Sequence, residues 1–262
     1  MKHIMLSDKE KIKGAILIFS CHKHKKTRLK EFGLKEKEYN GWKVFYILGN
    51  PNIKSEYITV GNTILLKCED SYIHVAKKVV MGVKYIYDHY EIEEGILRCG
   101  DDLIFNKAHL EKFLTKTDKT DYMGVVFDCN NELVMKNDNF MPQYYLNHQE
   151  DLQNPLHNIP YSIQEMMKFN IVPKCRTAGG VVVYLSKRSC NILINHFLNI
   201  EWDVFKKDDK YGYPYIIEDI AVGYVLYINN IFATNYQLYV DDYRMHLVID
   251  DKPVAIHTNK YK

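Results

Sequence analysis

The chain has 262 residues, 47% hydrophobic and 26% charged, which suits one large globular domain with a sizeable core. Its 35 basic and 33 acidic residues leave a net charge of +2, without the positive surplus of a dedicated nucleic-acid binder. No run approaches the roughly 18 consecutive apolar residues of a membrane span, and Met1–Lys13 is too polar for a signal peptide, so a soluble, cytoplasmic protein is expected.

In chain order, Gly14–Cys21 (GAILIFSC) reads as a short buried strand and residues 22–32 (HKHKKTRLKEF) as a polar helix. Trp42–Leu48 is a second strand, closed by the turn-like Gly49-Asn50-Pro51, and Thr63–Lys67 is a third. Val75, Val79, Val83 and Ile86 recur at helical spacing within Ser71–Tyr90. Gly95–Cys99 is a strand that runs directly into Gly100-Asp101-Asp102. Asn106 caps a helix to Leu114, and Tyr122–Phe127 is the next strand. Residues 128–162, with Pro142, Pro155 and Pro160, read as a loop or lid. A short helix at Ile163–Phe169 precedes a buried strand at Gly179–Leu185. Helices at Lys187–Phe197 and Ile217–Ile228 follow, then strand-like pieces near Leu247 and Val254. The alternation of strand and helix predicts an α/β layer structure with a mainly parallel sheet.

Several of these segments carry chemistry. Asp101 and Asp102 follow an apolar strand, at the edge where open α/β sheets bind ligands, and one or two such carboxylates suffice for Mg²⁺ or Mn²⁺ on a diphosphate. The same pair also describes a turn or a helix cap. Glu218 and Asp219 open an apolar helix, where an acid favours the positive dipole end or serves as a general base. Gly179 and Gly180 permit either close ligand approach or a tight bend. The basic run His22–Lys30 reads as a solvated face, a phosphate contact or a nucleic-acid patch. His257, at the end of an apolar stretch, is a plausible metal ligand. The six cysteines lack any C-x-x-C pair, which argues against a zinc ribbon and for free, buried thiols.

Taken in order, the segments resemble the inverting β-1,3-glycosyltransferases, the group of the Fringe enzymes and the β-1,3-galactosyl- and N-acetylglucosaminyltransferases. Asp70-Ser71-Tyr72 with Lys78 and Gly82 resembles that family's D-S-Y-x-N-L-T-x-K-T-x-x-G segment, and Arg98–Asn106 its K-x-D-D-D-x-F-x-N metal motif. Ala178–Ser186 resembles its G-G-x-G-x-x-x-S strand, and Glu218–Gly223 its E-D-V-x-V-G. GAILIFSC with Arg28 resembles its first strand and basic helix, and WKVFYILGN its second strand. The resemblance spans roughly residues 14 to 258.

This resemblance implies a GT-A-like, Rossmann-type fold: a single domain 1–262 with a nucleotide-sugar-binding half, 14–127, and an acceptor-binding, catalytic half, 128–262. It implies transfer from a UDP-sugar, with Mn²⁺ or Mg²⁺, to a hydroxyl of a glycan or glycoprotein. Asp219 would be the general base. Asp102 and His257 would hold the metal, with His246 in reserve. Asp101 would face the donor's ribose and sugar; Arg28, Asp70 and Lys78 would line the nucleotide pocket beside Gly179 and Gly180. Gly100 replaces the first Asp of the family's triple, Val182 its last strand glycine, and His74 and Ala76 its Asn and Thr; the family's N-terminal anchor has no counterpart. A degenerate protein that binds a nucleotide sugar without turnover is the alternative, and a nucleic-acid-associated role for residues 22–30 the weaker one.

Overall fold

The computed structural model describes residues 9–31, 34–129, 140–169, 175–242 and 253–258. Its centre is a mixed sheet of nine strands among the described residues, flanked by helices on both faces. The strands of the first half are β1 (Glu10–Phe19), β2 (Glu38–Tyr39), β3 (Trp42–Gly49), β4 (Tyr57–Val60), β5 (Thr63–Leu66) and β6 (Tyr90–Cys99). β7 (Leu103–Phe105) belongs to a separate small sheet, and β8 (Tyr122–Asp128), β9 (Arg176–Ser186) and β10 (Thr234–Asn235) complete the large one. The order across it is β10-β8-β9-β6-β1-β3-β5-β4, with β2 paired to β3. β11 (Tyr239–Asp241) and β12 (Ala255–His257) join β7 in the small sheet, in the order β11-β12-β7.

The expected parallel arrangement holds for β5, β3, β1 and β6. It stops at β9, which runs antiparallel to both β6 and β8. The chain enters β9 from the opposite end, so the second half of the sheet is mixed rather than parallel. The glycine-led run Gly179–Leu185 looks the same in either direction, because a strand buried on both faces carries no polarity in its hydrophobic pattern.

Helix α1 is only Arg28–Glu31. Residues 22–27, read from sequence as helical, form successive turns instead. Three of their side chains, His22, Lys23 and His24, meet the carboxylates of Asp70, Asp151 and Asp101. α2 (Val75–His89) buries Ala76, Val79, Val80, Val83 and Ile86 on one face, the stripe that its 3.6-residue period dictates. Asn106 caps α3 (Lys107–Leu114) by accepting from the His109 N–H. Where the sequence reads as a loop, α4 (Phe140–Asn147) and α5 (Gln149–Leu152) form, and α6 (Ile163–Met166) carries a Ser162–Glu165 capping box. Pro142 fits α4 because it stands in the first turn, where no N–H is required. α7 (Lys187–Asn199) and α8 (Glu218–Ile228) complete the helices used below.

One hydrophobic cluster packs α2, α7 and α8 against one sheet face; a second packs α3 and the small sheet against the other. No helix among the described residues is long and apolar enough to cross a membrane. The expected strand near Leu247 and the reserve ligand His246 lie outside the described residues.

Candidate functional site

From β1 the chain moves outward to β3 and β5. Helix α2 then carries it back to β6, on the other side of β1. Connections that diverge in this way leave a crevice at the carboxyl ends of β1 and β6, the position where open α/β sheets bind ligands. Ser20, just past β1, and Asp101, just past β6, meet there, with Ser20 Oγ donating to Asp101 Oδ2 at 2.6 Å.

Asp70 ties the floor of this crevice together. Its Oδ1 accepts from the Gly49 N–H at 3.1 Å and from Lys78 Nζ at 2.9 Å. Its Oδ2 accepts from the His22 N–H at 2.7 Å and lies 2.9 Å from His22 Nδ1. Lys78 also donates to the Ser20 carbonyl at 2.7 Å. The two side chains are 0% and 4% exposed. Burial pushes the Asp70 carboxyl up, but Lys78 and the His22 contacts outweigh it and hold the group below its ordinary range. Asp70 and Lys78, expected to line a nucleotide pocket, thus spend their charges on each other and on three backbone segments beneath it. A cavity of about 370 Å³ lies beyond them, between the ends of β3 and β5 and the turn at His22 and Lys25, with Leu48, Ile58, Leu65 and Leu156 in its wall.

On the other side of Ser20, Arg28 Nη1 reaches both Asp101 Oδ1 (3.0 Å) and Asp102 Oδ2 (3.3 Å). His24 Nδ1 is 3.4 Å from Asp101 Oδ2. Burial raises the Asp101 carboxyl, and the hydrogen bonds from His24, Ser20 and Arg28 bring it below its ordinary value. His24 in turn is pushed up to about 9, chiefly by its bond to Asp101.

Asp102 Oδ2 is also 3.3 Å from His257 Nε2, and His257 Nδ1 is 2.9 Å from Asp241 Oδ1. The pairing of β7 with β12 places His257 opposite Leu103, and the Thr258 N–H donates to the Asp102 carbonyl at 3.0 Å. The bond to Asp102, with a smaller contribution from Asp241, pushes the His257 imidazole up to about 9. A Cβ at Gly100 would sit 2.9 Å from Asp102 Oδ1, so the glycine standing where the resembled family has its first Asp leaves Asp102 room to fold back.

Asp102 Oδ2 and His257 Nε2 are an oxygen and an imidazole nitrogen of the kinds a divalent cation takes, and Arg28 Nη1 shares the same Asp102 oxygen at 3.3 Å. Adjacent ligands of an octahedral Mg²⁺ are about 3 Å apart, given metal–oxygen distances of roughly 2.0–2.1 Å, and Asp102 Oδ2 and His257 Nε2 are 3.3 Å apart. Asp241 holds Nδ1 of the ring, the arrangement that turns the other nitrogen toward a metal. Elsewhere His148, Glu150 and Asp151 offer three ligand atoms within 4.8 Å. Lys23 already sits 3.6 and 3.7 Å from the two acids there, and Tyr144 donates to Asp151.

The acid pair Glu218–Asp219 stands at the N-terminus of α8 and leans on β9. A Cβ on Gly180 would lie 2.1 Å from Asp219 Oδ1 and 2.2 Å from Glu218 Oε2. The close approach that this glycine allows is therefore made by the acid pair. A Cβ on Gly179 would likewise lie 3.0 Å from the Tyr239 hydroxyl. Thr177 Oγ1 donates to the Asp219 carbonyl, which pins the helix start to the strand. Arg98 Nη2, on β6, donates to Glu218 Oε2 at 2.9 Å. Burial raises both carboxyls. Arg98 opposes the rise, yet Glu218 still stands at about 8. Two carboxyls in contact share one proton, and they titrate as a pair.

β6 and β9 are neighbours, Cys99 pairs with Val182, and the Gly100 N–H donates to the Val181 carbonyl at 2.9 Å. Asp102 therefore leaves β6 beside the stretch of β9 on which the acid pair leans. Tyr72 joins them. Dehydration at its hydroxyl, then the charges of Asp219 and Glu218, with Asp102 adding, push its phenol up to about 12. The residue as a whole remains 44% exposed and stacks on Tyr144 at 5.2 Å. Asp102, which meets His257, and the acid pair thus both bear electrostatically on Tyr72.

Sequence reasoning missed Ser20, His24, Arg98, Asp241 and Tyr72 as members of this site. Arg98 and Tyr72 stood inside quoted motifs but were given no role. Ser20, His24 and Asp241 carried no signal of their own, because their partners are 81, 77 and 16 positions away in the chain. Comparison of the sequence with protein-family models and with curated proteins finds no match to either.

Proposed function

We propose that the chain is a metal-dependent inverting glycosyltransferase of GT-A-like fold, which moves a sugar from a UDP-sugar to a hydroxyl of a glycan or glycoprotein. One observation carries this reading: a carboxylate–imidazole pair stands just past β6, a desolvated acid pair leans on the neighbouring strand β9, and both bear electrostatically on Tyr72. The cavity beyond Asp70 is of the size of small-ligand pockets, roughly 300–1,000 Å³, and suits a nucleoside. The diphosphate would then lie toward Arg28, His257 and Asp102. A divalent cation held by Asp102 and His257 would offset the negative charge that grows on the departing UDP.

The acid pair supplies the other half of the reaction. The acceptor oxygen forms a bond to the sugar's C1 as the bond from C1 to the phosphate oxygen breaks, and that electron pair leaves with UDP. Asp219 accepts the proton of the attacking hydroxyl. It can do so while Glu218, tethered to Arg98, holds the proton the pair shares. The basic run His22–Lys30, the basis of the nucleic-acid reading, is largely turned onto carboxylates: His22 to Asp70, Lys23 to Asp151, His24 to Asp101, Arg28 to Asp101 and Asp102.

Thermal unfolding with UDP tests the reading at its base, since a ligand bound only by the native state raises the midpoint. UDP with Mn²⁺ is expected to raise it, EDTA to remove the rise, and renewed Mn²⁺ to restore it. A rise unaffected by EDTA rules out the metal role of Asp102. The alternative, a protein that binds the donor without turning it over, predicts the same rise but no release of UDP from any UDP-sugar.

A further inference from the structure

Six cysteines are dispersed along the chain and all six are free thiols. Among the described residues, Cys129 and Cys175 are the two that face each other across a strand ladder. The β8–β9 register ends with Asp128 opposite Arg176. The next pair is Cys129 and Cys175, and the Cys129 N–H donates to the Cys175 carbonyl at 2.9 Å. Both side chains lie in the same hydrophobic cluster, 5% and 6% exposed. Directly opposed residues of an antiparallel pair have Cα atoms about 4.5–5.5 Å apart, inside the roughly 4.4–6.8 Å span of a disulfide. Their side chains also leave the sheet on the same face. The proximity of the two thiols lowers Cys175 and raises Cys129.

We propose that Cys129 and Cys175 form a reversible dithiol–disulfide couple, a modification site whose co-reactant is a small-molecule disulfide. The Cys175 thiolate attacks one sulfur of that disulfide, a mixed disulfide forms, and the first small thiol leaves with the electron pair. The Cys129 thiolate then attacks the Cys175 sulfur, forms the cross-strand bond and expels the second small thiol. Two protein thiols are oxidised, one small disulfide is reduced to two thiols, and the two protons pass from the protein thiols to the small ones. The bond would staple the end of β8–β9 two residues from Thr177, which holds the Asp219 carbonyl. The proposal is independent of the glycosyl-transfer reading.

The test equilibrates the intact protein in glutathione buffers of graded oxidised-to-reduced ratio. Acid quenching and alkylation precede intact mass measurement and peptide mapping. The expected product is lighter by two hydrogen masses, carries a Cys129–Cys175 cross-linked peptide, and returns to two alkylatable thiols in excess reduced glutathione. Its thermal midpoint is expected to exceed that of the reduced form, because the bond constrains the unfolded chain. Cys175→Ser should abolish the mass loss, and the wild-type measurement stands on its own if that variant fails to fold. Full alkylation of both residues at every ratio, arrest at mixed disulfides, or a cross-link between other cysteines would overturn the proposal.

Discussion

Asp219 is argued to accept a proton, so Asp219→Asn should lower transfer by about 10²–10⁴-fold while the binding of UDP with Mn²⁺ is unchanged. Asp241 touches neither metal nor substrate. It holds the His257 ring, and such a supporting carboxylate is worth roughly 10–100-fold in metal affinity. Asp241→Asn is therefore expected to weaken Mn²⁺ binding by that factor, measured by titration calorimetry, with less effect on UDP alone. Equal Mn²⁺ affinity in the variant would show that the Asp241–His257 contact has no part in metal binding. The acid pair gives a pH signature. Glu218 has its folded value raised from 4.5 to about 8, so the native state binds more protons than the unfolded chain between those values. Stability contributed by the pair is full below about 4.5 and is lost as pH rises through about 8. Transfer uses the singly protonated pair, so it should not depend on the loss of that proton near pH 8. Arg98→Met removes the charge that opposes the shift and should move the loss of stability to higher pH; a limb left in place would show that Arg98 does not hold the pair's titration down.

At the scale of elements, Asp70 joins the turn after β1, the end of β3 and α2. Lys78→Met takes the buried cation from a carboxylate that keeps only His22 and two backbone N–H groups, a change expected to cost up to about 3–5 kcal/mol, to be read from urea unfolding. Asp70→Asn on the Lys78→Met background should recover part of that loss. If Lys78→Met costs as little as an exposed substitution, the buried pair does not hold these elements together. The elements differed in how far the sequence revealed them. α2 was legible because its apolar residues recur at the helical period, and α8 because an acid pair opens a continuous apolar run too long for a buried strand. The turns at 22–27 were not, because a polar run has no periodic stripe, and the carboxylates its side chains meet stand far along the chain, at positions 70, 101 and 151. The strand β4, with every residue exposed, offered no alternation to read. The small sheet of β7, β11 and β12 is built of three-residue strands, too short for any pattern.

At the scale of the whole molecule, the order of motifs pointed to Asp102, His257 and Asp219; the fold sets His257 3.3 Å from Asp102 and Asp219 against Gly180 of the neighbouring strand. The sequence could not show how. The antiparallel insertion of β9 beside β6 sets Gly180 and the acid pair next to Asp102. That is a fact of topology, and local composition does not encode it. Their joint action is the central claim, and release of UDP measures it most directly. Wild type and Asp219→Asn are incubated with a panel of UDP-sugars and saccharide acceptors in Mn²⁺, and bound UDP is followed in parallel. Wild type should release UDP from at least one donor, and the variant should bind UDP equally while releasing it at least a hundredfold more slowly. Equal release by both proteins, or no binding of UDP to either, would contradict it.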